Sequence, residues 1–241
     1  RQKETVSRVG VATAPFGVID SQDDARAFGR EHGYPFVLKT RRDGYDGYGN
    51  ATIATPEHIG TGWEKIARGR DEVSIYAEAY VPFVKELAIM IARSTNGEVV
   101  RYPVVETIQH NHICHYVLAP AEADPAILDQ AAMVAQRAVE AIDGVGIFGV
   151  ELFLTDDGAV LFNEMAPRPH NSGHYTIEGC VTSQFENHIR AIMGWPLGAT
   201  DLLAPAVVMA NILGRGDASG TVANYGTVLM ERSAHLHIYG K

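Results

Sequence analysis

The sequence predicts an α+β fold, on three observations. Helix-like and strand-like segments alternate irregularly, without the even strand–helix rhythm of a purely parallel sheet. The dipeptides Asn96-Gly97 and Asp157-Gly158 each separate two strand-like runs and mark β-hairpins. The chain has 241 residues, 46% hydrophobic and 20% charged, enough to bury a core without disulfide or metal staples.

The elements follow in order. "RQKETVSRVGV" reads as a helix stopping at Gly10. Ser21 is an N-cap for a helix through "QDDARAFGREH" that closes at Gly33. "YPFVLKT" is a strand carrying Lys39 near its end, "RRDGYDGYGN" a glycine-punctuated loop and "ATIAT" a short strand. Thr55-Pro56 has cap-then-first-turn chemistry and opens a helix to about Ala67. "EVSIYAEAYV" is a strand, and a second strand from Val84 to Ser94 turns at Asn96-Gly97 and returns as "EVVRYPVVET". "HICHYVLAP" is the next strand. Asp124-Pro125 starts a long helix with apolar residues at helical spacing. A hairpin containing Glu151 and Glu164 follows, then the helix "SQFENHIRAIMG" and two late strands, "AVVMANILG" and "HLHIYG". The segment from Pro196 to Pro205 is the candidate boundary to a small C-terminal piece. The uncapped opening helix and the abrupt end at "AHLHIYGK" point to a longer parent.

Composition excludes several classes. The two cysteines, Cys114 and Cys180, cannot make a disulfide framework and fit a reducing, cytoplasmic setting. No apolar run reaches the length of a membrane span. A formal charge of −9 argues against a nucleic-acid polymer as partner, while a small anion needs only a local basic cluster.

The glutamate hairpin carries the sharpest signal. If Asp157-Gly158 forms a two-residue turn, residue 154 faces 161 and Glu151 faces Glu164. Directly opposed residues have Cβ atoms about 4.5–5.5 Å apart, so two carboxylates there repel. A divalent cation would relieve the conflict, and two carboxylates plus phosphate oxygens is a common way to hold Mg²⁺ beside a nucleotide. The competing reading is a three-residue turn that slips the pair out of register. The run "APRPHNSGH" follows, with Arg168 suited to an anion and His170, Asn171 and Ser172 suited to a polar ligand.

Two weaker patterns accompany it. Lys39 precedes Gly44, Gly47 and Gly49 in a loop matching neither common phosphate-loop motif. Glycines still let backbone N–H groups approach phosphates; the alternative is a surface hairpin. In "YAEAYVPFVKEL" the backbone from Glu78 through Ala79 and Tyr80 to Val81 could meet an adenine edge, and Glu86 a ribose hydroxyl. Alone, the segment reads as a strand with two ordinary solvent glutamates.

Taken together, "LKTRRDGYDGYGN", "EAYVPFVKELAIM", "YPVVETIQHNHIC", "GVELFLT" and "LFNEMAPRPHNSGHYTIEGCVTSQFENHIRAI" resemble the ATP-grasp superfamily. Within it they look like the N5-carboxyaminoimidazole ribonucleotide synthetases, over roughly residues 1 to 195. The resemblance implies two α+β lobes clamping ATP, at about 13–80 and 81–195. A Rossmann-like domain would precede them, and 196–241 would begin a small C-terminal β domain. It implies that Lys39 and the loop Gly44, Tyr45, Asp46, Gly47, Tyr48, Gly49 and Asn50 hold phosphates, with Tyr45 and Asp46 closing over substrate. Glu78 to Val81 would meet adenine, Glu86 the ribose and Gln109 the nucleotide. Glu151 and Glu164 would bind Mg²⁺, with Asn163 beside the phosphates. Arg168, His170, Asn171 and Ser172 would face bicarbonate and aminoimidazole ribonucleotide, and Lys241 the ribonucleotide phosphate. Lys39, Asp46 and Arg168 are the implied catalytic groups, and the parent would be a homodimer.

Three positions depart from the general pattern. Tyr48 replaces a usual loop cation, Gln109 replaces a histidine found in some members, and Ala166 stands where many ATP-grasp enzymes place a third metal ligand. The implied activity is ATP- and bicarbonate-dependent carboxylation of aminoimidazole ribonucleotide. Another ATP-grasp ligase and a non-catalytic nucleotide-binding module are the alternatives. A zinc site at His110, His112 and His115 has spacing but no supporting cysteine pair.

Overall fold

The computed structural model describes residues 2–41, 49–67, 74–110, 113–213 and 225–238. The chain opens with helix α1 (Gln2–Arg8), strand β1 (Phe16–Ile19) and helix α2 (Gln22–His32). Ser21 caps α2 in a capping box with Asp24, and Gly33 ends it at a φ of 86°. Strands β2 (Phe36–Thr40) and β3 (Asn50–Ile53) precede helix α3 (Ile59–Ala67). The first turn after Thr55 is a separate 3-10 turn, Pro56–His58, and the Thr55 hydroxyl makes no cap bond to it. Instead that hydroxyl bonds the Glu57 carboxylate.

Strand β4 (Ile75–Ala79) completes a four-stranded sheet in the order β1-β4-β2-β3. Alternation decides its faces. Phe36, Leu38, Ile75 and Ala77 pack under α2 and α3 in one apolar cluster. Lys39, Tyr76 and Glu78 therefore occupy the opposite face, where Lys39 pairs with Tyr76 across the ladder and Val37 with Glu78.

The second sheet contains β5 (Phe83–Arg93), β6 (Val99–Arg101), β7 (Val105–His110), β8 (Ile113–Ala119), β9 (Gly146–Thr155), β10 (Val160–Ala166) and β11 (Val207–Ala210). Its order is β10-β9-β5-β7-β8-β11, with β6 also on β5. The return after Asn96-Gly97 is two strands, split around Pro103, both pairing with β5. Helix α4 (Pro125–Ala141), capped by Asp124, covers one face with Leu87, Ile89, Val150 and Leu152 beneath it. The other face carries Ala88, Met90 and Ile147. Helices α5 (Thr176–Gly179), α6 (Gln184–Met193) and α7 (Tyr225–Leu229) follow β10.

Two expectations about the C-terminal part need correction. Val207–Ala210 pairs with β8, so the large sheet runs past residue 195 into the range expected for a separate piece. His235–Ile238 forms no strand. At the other end, α1 belongs to the large lobe: Val6 lies in its core, and the Gln2 side chain bonds both the carbonyl and the N–H of Met165.

Candidate functional site

The glutamate pair is opposed as expected, but by a different route. Val160 faces Leu154 and Phe162 faces Leu152, so the turn has three residues rather than two and residue 154 does not face 161. Gly158, at a φ of 82°, supplies the left-handed position this turn needs. The register then shifts between Phe162 and Glu164, and the shift brings Glu164 opposite Glu151. A β-bulge sets two residues of one strand against one of its partner. Here Asn163 and Glu164 both lie against Glu151.

The same face of the large sheet carries a third acid. Ala88 pairs with Glu151 and Glu86 with Phe153, so Glu86 and Glu151 are diagonal neighbours on the side away from α4. Burial raises Glu86 to about 7, against the pull of Lys39. Burial, then Glu164, then Glu86 push Glu151 well above the carboxylate range, against Lys39 and Arg168. Lys39 belongs to the small sheet, so the two lobes converge at this point.

On the small-sheet side Glu78 is the hub. Its carboxylate binds Lys3 through one oxygen and Lys39, at 2.8 Å, through the other. Burial draws the Lys39 ammonium down, but Glu78, Tyr76 and Glu164 outweigh it and its pKa ends raised. At Lys3 burial outweighs Glu78, and the pKa ends lowered. Tyr76, beside them, is pushed up to about 12 by burial. Glu78 is thus neither a solvent glutamate nor a free backbone edge. It pairs with Phe16 on one side and Val37 on the other, and the Ala79 N–H donates to Pro15. The backbone beyond the ladder begins at Tyr80 and Val81. Lys3 was missed in the sequence, although its spacing from Val6 puts both on the inward face of α1.

Glu86 and Gln109 line one cavity of about 340 Å³, together with Lys85, Thr107 and Ile108. An ion pair at 2.5 Å joins Lys85 to Glu106 on its wall.

His170 sits over Gly149, where any Cβ would come within 2.5 Å of the imidazole-bearing carbon. Its Nδ1 accepts from the Ser172 N–H and lies 2.8 Å from the Ser172 hydroxyl; its Nε2 lies 3.4 Å from Glu151. Ser172 is buried, with its hydroxyl engaged by His170. Arg168 is exposed and donates to the Pro169 carbonyl at 3.0 Å. Asn171 starts the 3-10 turn Asn171–Gly173.

The donors fit a magnesium ion that shares phosphate oxygens. The Asn163 side-chain oxygen is buried without a hydrogen-bond partner, which costs about 1–3 kcal/mol unless a ligand meets it. Among the described residues no three His, Cys, Asp or Glu side chains form a metal cage. The protein thus offers a partial shell of hard oxygens, the kind Mg²⁺ completes with water and phosphate. Of the other expected site residues, Gly44, Tyr45, Asp46, Gly47, Tyr48 and Lys241 lie outside the described residues, as does His112. Gly49 and Asn50 close the loop where the Thr40 N–H donates to the Gly49 carbonyl. Ala166 pairs with Gly149 at the end of β10.

Residues 4–185 match the model of the ATP-grasp domain. The chain belongs to the ATP-grasp family. This ATP-grasp chain is 42% identical over 245 residues to phosphoribosylaminoimidazole carboxylase of Ogataea methanolica, covering 100% of itself and 44% of that protein. It is 40% identical over 240 residues to N5-carboxyaminoimidazole ribonucleotide synthase of Bacillus subtilis (strain 168), covering 100% of itself and 61% of that protein. Among solved structures it resembles N5-carboxyaminoimidazole synthase of Aspergillus clavatus in complex with ADP and 5-aminoimidazole ribonucleotide. There the TM-score is 0.81 at 37% identity, over 89% of this chain and 56% of that one. The chain thus spans about half the length of the relatives it matches. No helix among the described residues is long and apolar enough to cross a membrane.

Proposed function

We propose that this chain is the ATP-grasp part of an enzyme that carboxylates 5-aminoimidazole ribonucleotide to N5-carboxyaminoimidazole ribonucleotide in purine biosynthesis, using ATP and bicarbonate. The observation that carries the reading is the opposition of Glu151 and Glu164, with Asn163 beside them and Lys39 facing them from the other lobe. Similarity to synthases of this activity, one solved with ADP and aminoimidazole ribonucleotide, supports the substrate.

In the first step a bicarbonate oxygen bonds to the γ-phosphorus of ATP and the bond to the ADP oxygen breaks, giving carboxyphosphate. In the second the amine of the ribonucleotide takes the carboxyl group and phosphate leaves. Phosphoryl transfer asks the protein mainly for positioning and charge neutralisation. Lys39, held by Glu78, presents its ammonium to the phosphates together with the Gly44–Asn50 loop. The backbone of Tyr80 and Val81 meets adenine, Glu86 accepts from the ribose, and Gln109 hydrogen-bonds the nucleotide from the shared cavity. Glu151 and Glu164 would hold Mg²⁺, with the Asn163 side-chain oxygen as a further donor, and the ion would supply charge neutralisation for phosphoryl transfer. The planar guanidinium of Arg168 suits bidentate contact with bicarbonate, and His170 and Asn171 face the ribonucleotide. Tyr45 and Asp46 are assigned to the substrate and Lys241 to the ribonucleotide phosphate; carboxyphosphate survives only where water is excluded.

ADP release by the intact protein, with Mg·ATP and each co-substrate omitted in turn, tests the reading. Release that requires both aminoimidazole ribonucleotide and bicarbonate is expected. Turnover with a different amine or carboxylate in their place, or Mg·ATP binding without turnover, would overturn it.

A further inference from the structure

The polar cluster beneath the Pro169–His174 turn has a centre that the proposed chemistry does not use. Gln184, the first residue of α6, is completely buried. Its Oε1 accepts from the His170 N–H at 2.9 Å and its Nε2 donates to the His170 carbonyl at 2.9 Å. A second contact of Nε2, also 2.9 Å, goes to Nδ1 of His174. The Gln184 N–H donates to the Thr176 hydroxyl, which in turn donates to the Gly173 carbonyl. Gly173 is the close approach that permits this wrapping, since a Cβ there would fall 2.6 Å from Gln184 Oε1.

This bonding leaves the amide one orientation. Turned over, its oxygen would face the His170 carbonyl and its NH₂ the His170 N–H, the first contact without a donor and the second without an acceptor. Nε2 is therefore a donor to both its partners, and Nδ1 of His174 accepts. His174 is then neutral with its proton on Nε2. Gln184 also takes both backbone groups of His170, as a neighbouring strand would. It fixes the main chain from which the imidazole reaches over Gly149 toward Glu151.

We infer that Gln184 is a positioning residue: its buried carboxamide sets the place of His170 beside Glu151 and the tautomer of His174. The kinetic part of this inference rests on the proposed carboxylase reading; the tautomer part does not. Gln184→Glu is nearly isosteric and keeps the acceptor for the His170 N–H. It sets a carboxylate oxygen against the His170 carbonyl and against Nδ1 of His174.

The test uses the intact protein with ¹⁵N-labelled histidine. Two-bond proton–nitrogen spectra should show wild-type His174 protonated on Nε2 alone, and Gln184→Glu should move the proton to Nδ1 or protonate both nitrogens. Turnover should fall about 10²-fold, the scale of an ångström-sized misplacement, with the KM for ATP within twofold of wild type. Wild-type His174 protonated on Nδ1 overturns the inference, as does a Gln184→Glu enzyme with unchanged kcat. If the variant does not fold, the wild-type spectrum decides alone. A wild-type protein without bicarbonate-dependent turnover would fail the carboxylase reading and leave the tautomer result standing.

Discussion

Replacing Glu164 by Gln removes one of two opposed charges and keeps the shape of the side chain. With Cβ atoms about 5 Å apart, as in direct cross-strand pairs, two ionised carboxylates would repel by about 3 kcal/mol at an effective dielectric near 20. The raised pKa of Glu151 shows that the ligand-free site relieves part of this by holding a proton there. Glu164 is exposed, so solvent screening lowers the realisable gain to about 1 kcal/mol. The ligand-free variant should therefore melt a few degrees above wild type. Saturating Mg·ATP should reverse the order, because wild type gains about 2.7 kcal/mol at a hundred times its Kd and the variant gains little. ADP release by the variant should be abolished. Paired thermal melts of the intact protein, with and without Mg·ATP, read both signs in one experiment. A variant that melts below wild type without ligand, or that gains as much from Mg·ATP, would refute the idea that the acids are opposed in order to share a cation.

Two further outcomes follow from the same cleft. Because the folded pKa of Glu86 is raised to about 7, the folded state binds more protons than the unfolded state above the ordinary carboxylate value of about 4.3. Stability of the ligand-free protein should then fall as pH rises through that window, and Glu86→Gln should flatten the fall in urea midpoints measured from about pH 4.5 to 8. In the ion-paired cluster, Lys3→Met leaves Glu78 its partner Lys39, whereas Glu78→Gln leaves two buried ammonium groups sharing one amide. Breaking a buried pair costs about 3–5 kcal/mol, so urea unfolding should show Glu78→Gln in that range and Lys3→Met below it.

Local chemistry made most elements legible. Ser21, Asp124 and Ser183 each cap the helix they precede, because capping depends on residues three or fewer apart. What depended on long-range packing was less legible. Nothing in "HLHIYG" distinguishes a strand from a segment without a ladder partner. The pairing of Val207–Ala210 with β8 joins residues about ninety apart in sequence. The hairpin is the instructive case: Asp157-Gly158 suggested a two-residue turn, and the structure uses three. The bulge at Asn163 offsets the extra residue, so the expected pair forms although the expected register does not. A bulge has no sequence signature as firm as a turn's, and the unpartnered side-chain oxygen of Asn163 is visible only in the fold.

The site residues divide in the same way. Glu151, Glu164, Lys39 and His170 were named from motifs, because each carries chemistry that is recognisable alone. Lys3 and Gln184 were not, because their importance lies in what they hold. Lys3 rides on α1, a helix packed on the large lobe, and its ammonium reaches Glu78 of the small sheet. The cation that aims Glu78, and through it Lys39, is therefore anchored on the lobe that carries the opposed acids. The Lys3–Glu78 contact thus ties the Glu78–Lys39 pair of the small sheet to a helix of the large lobe, and no motif in either lobe alone could have shown it.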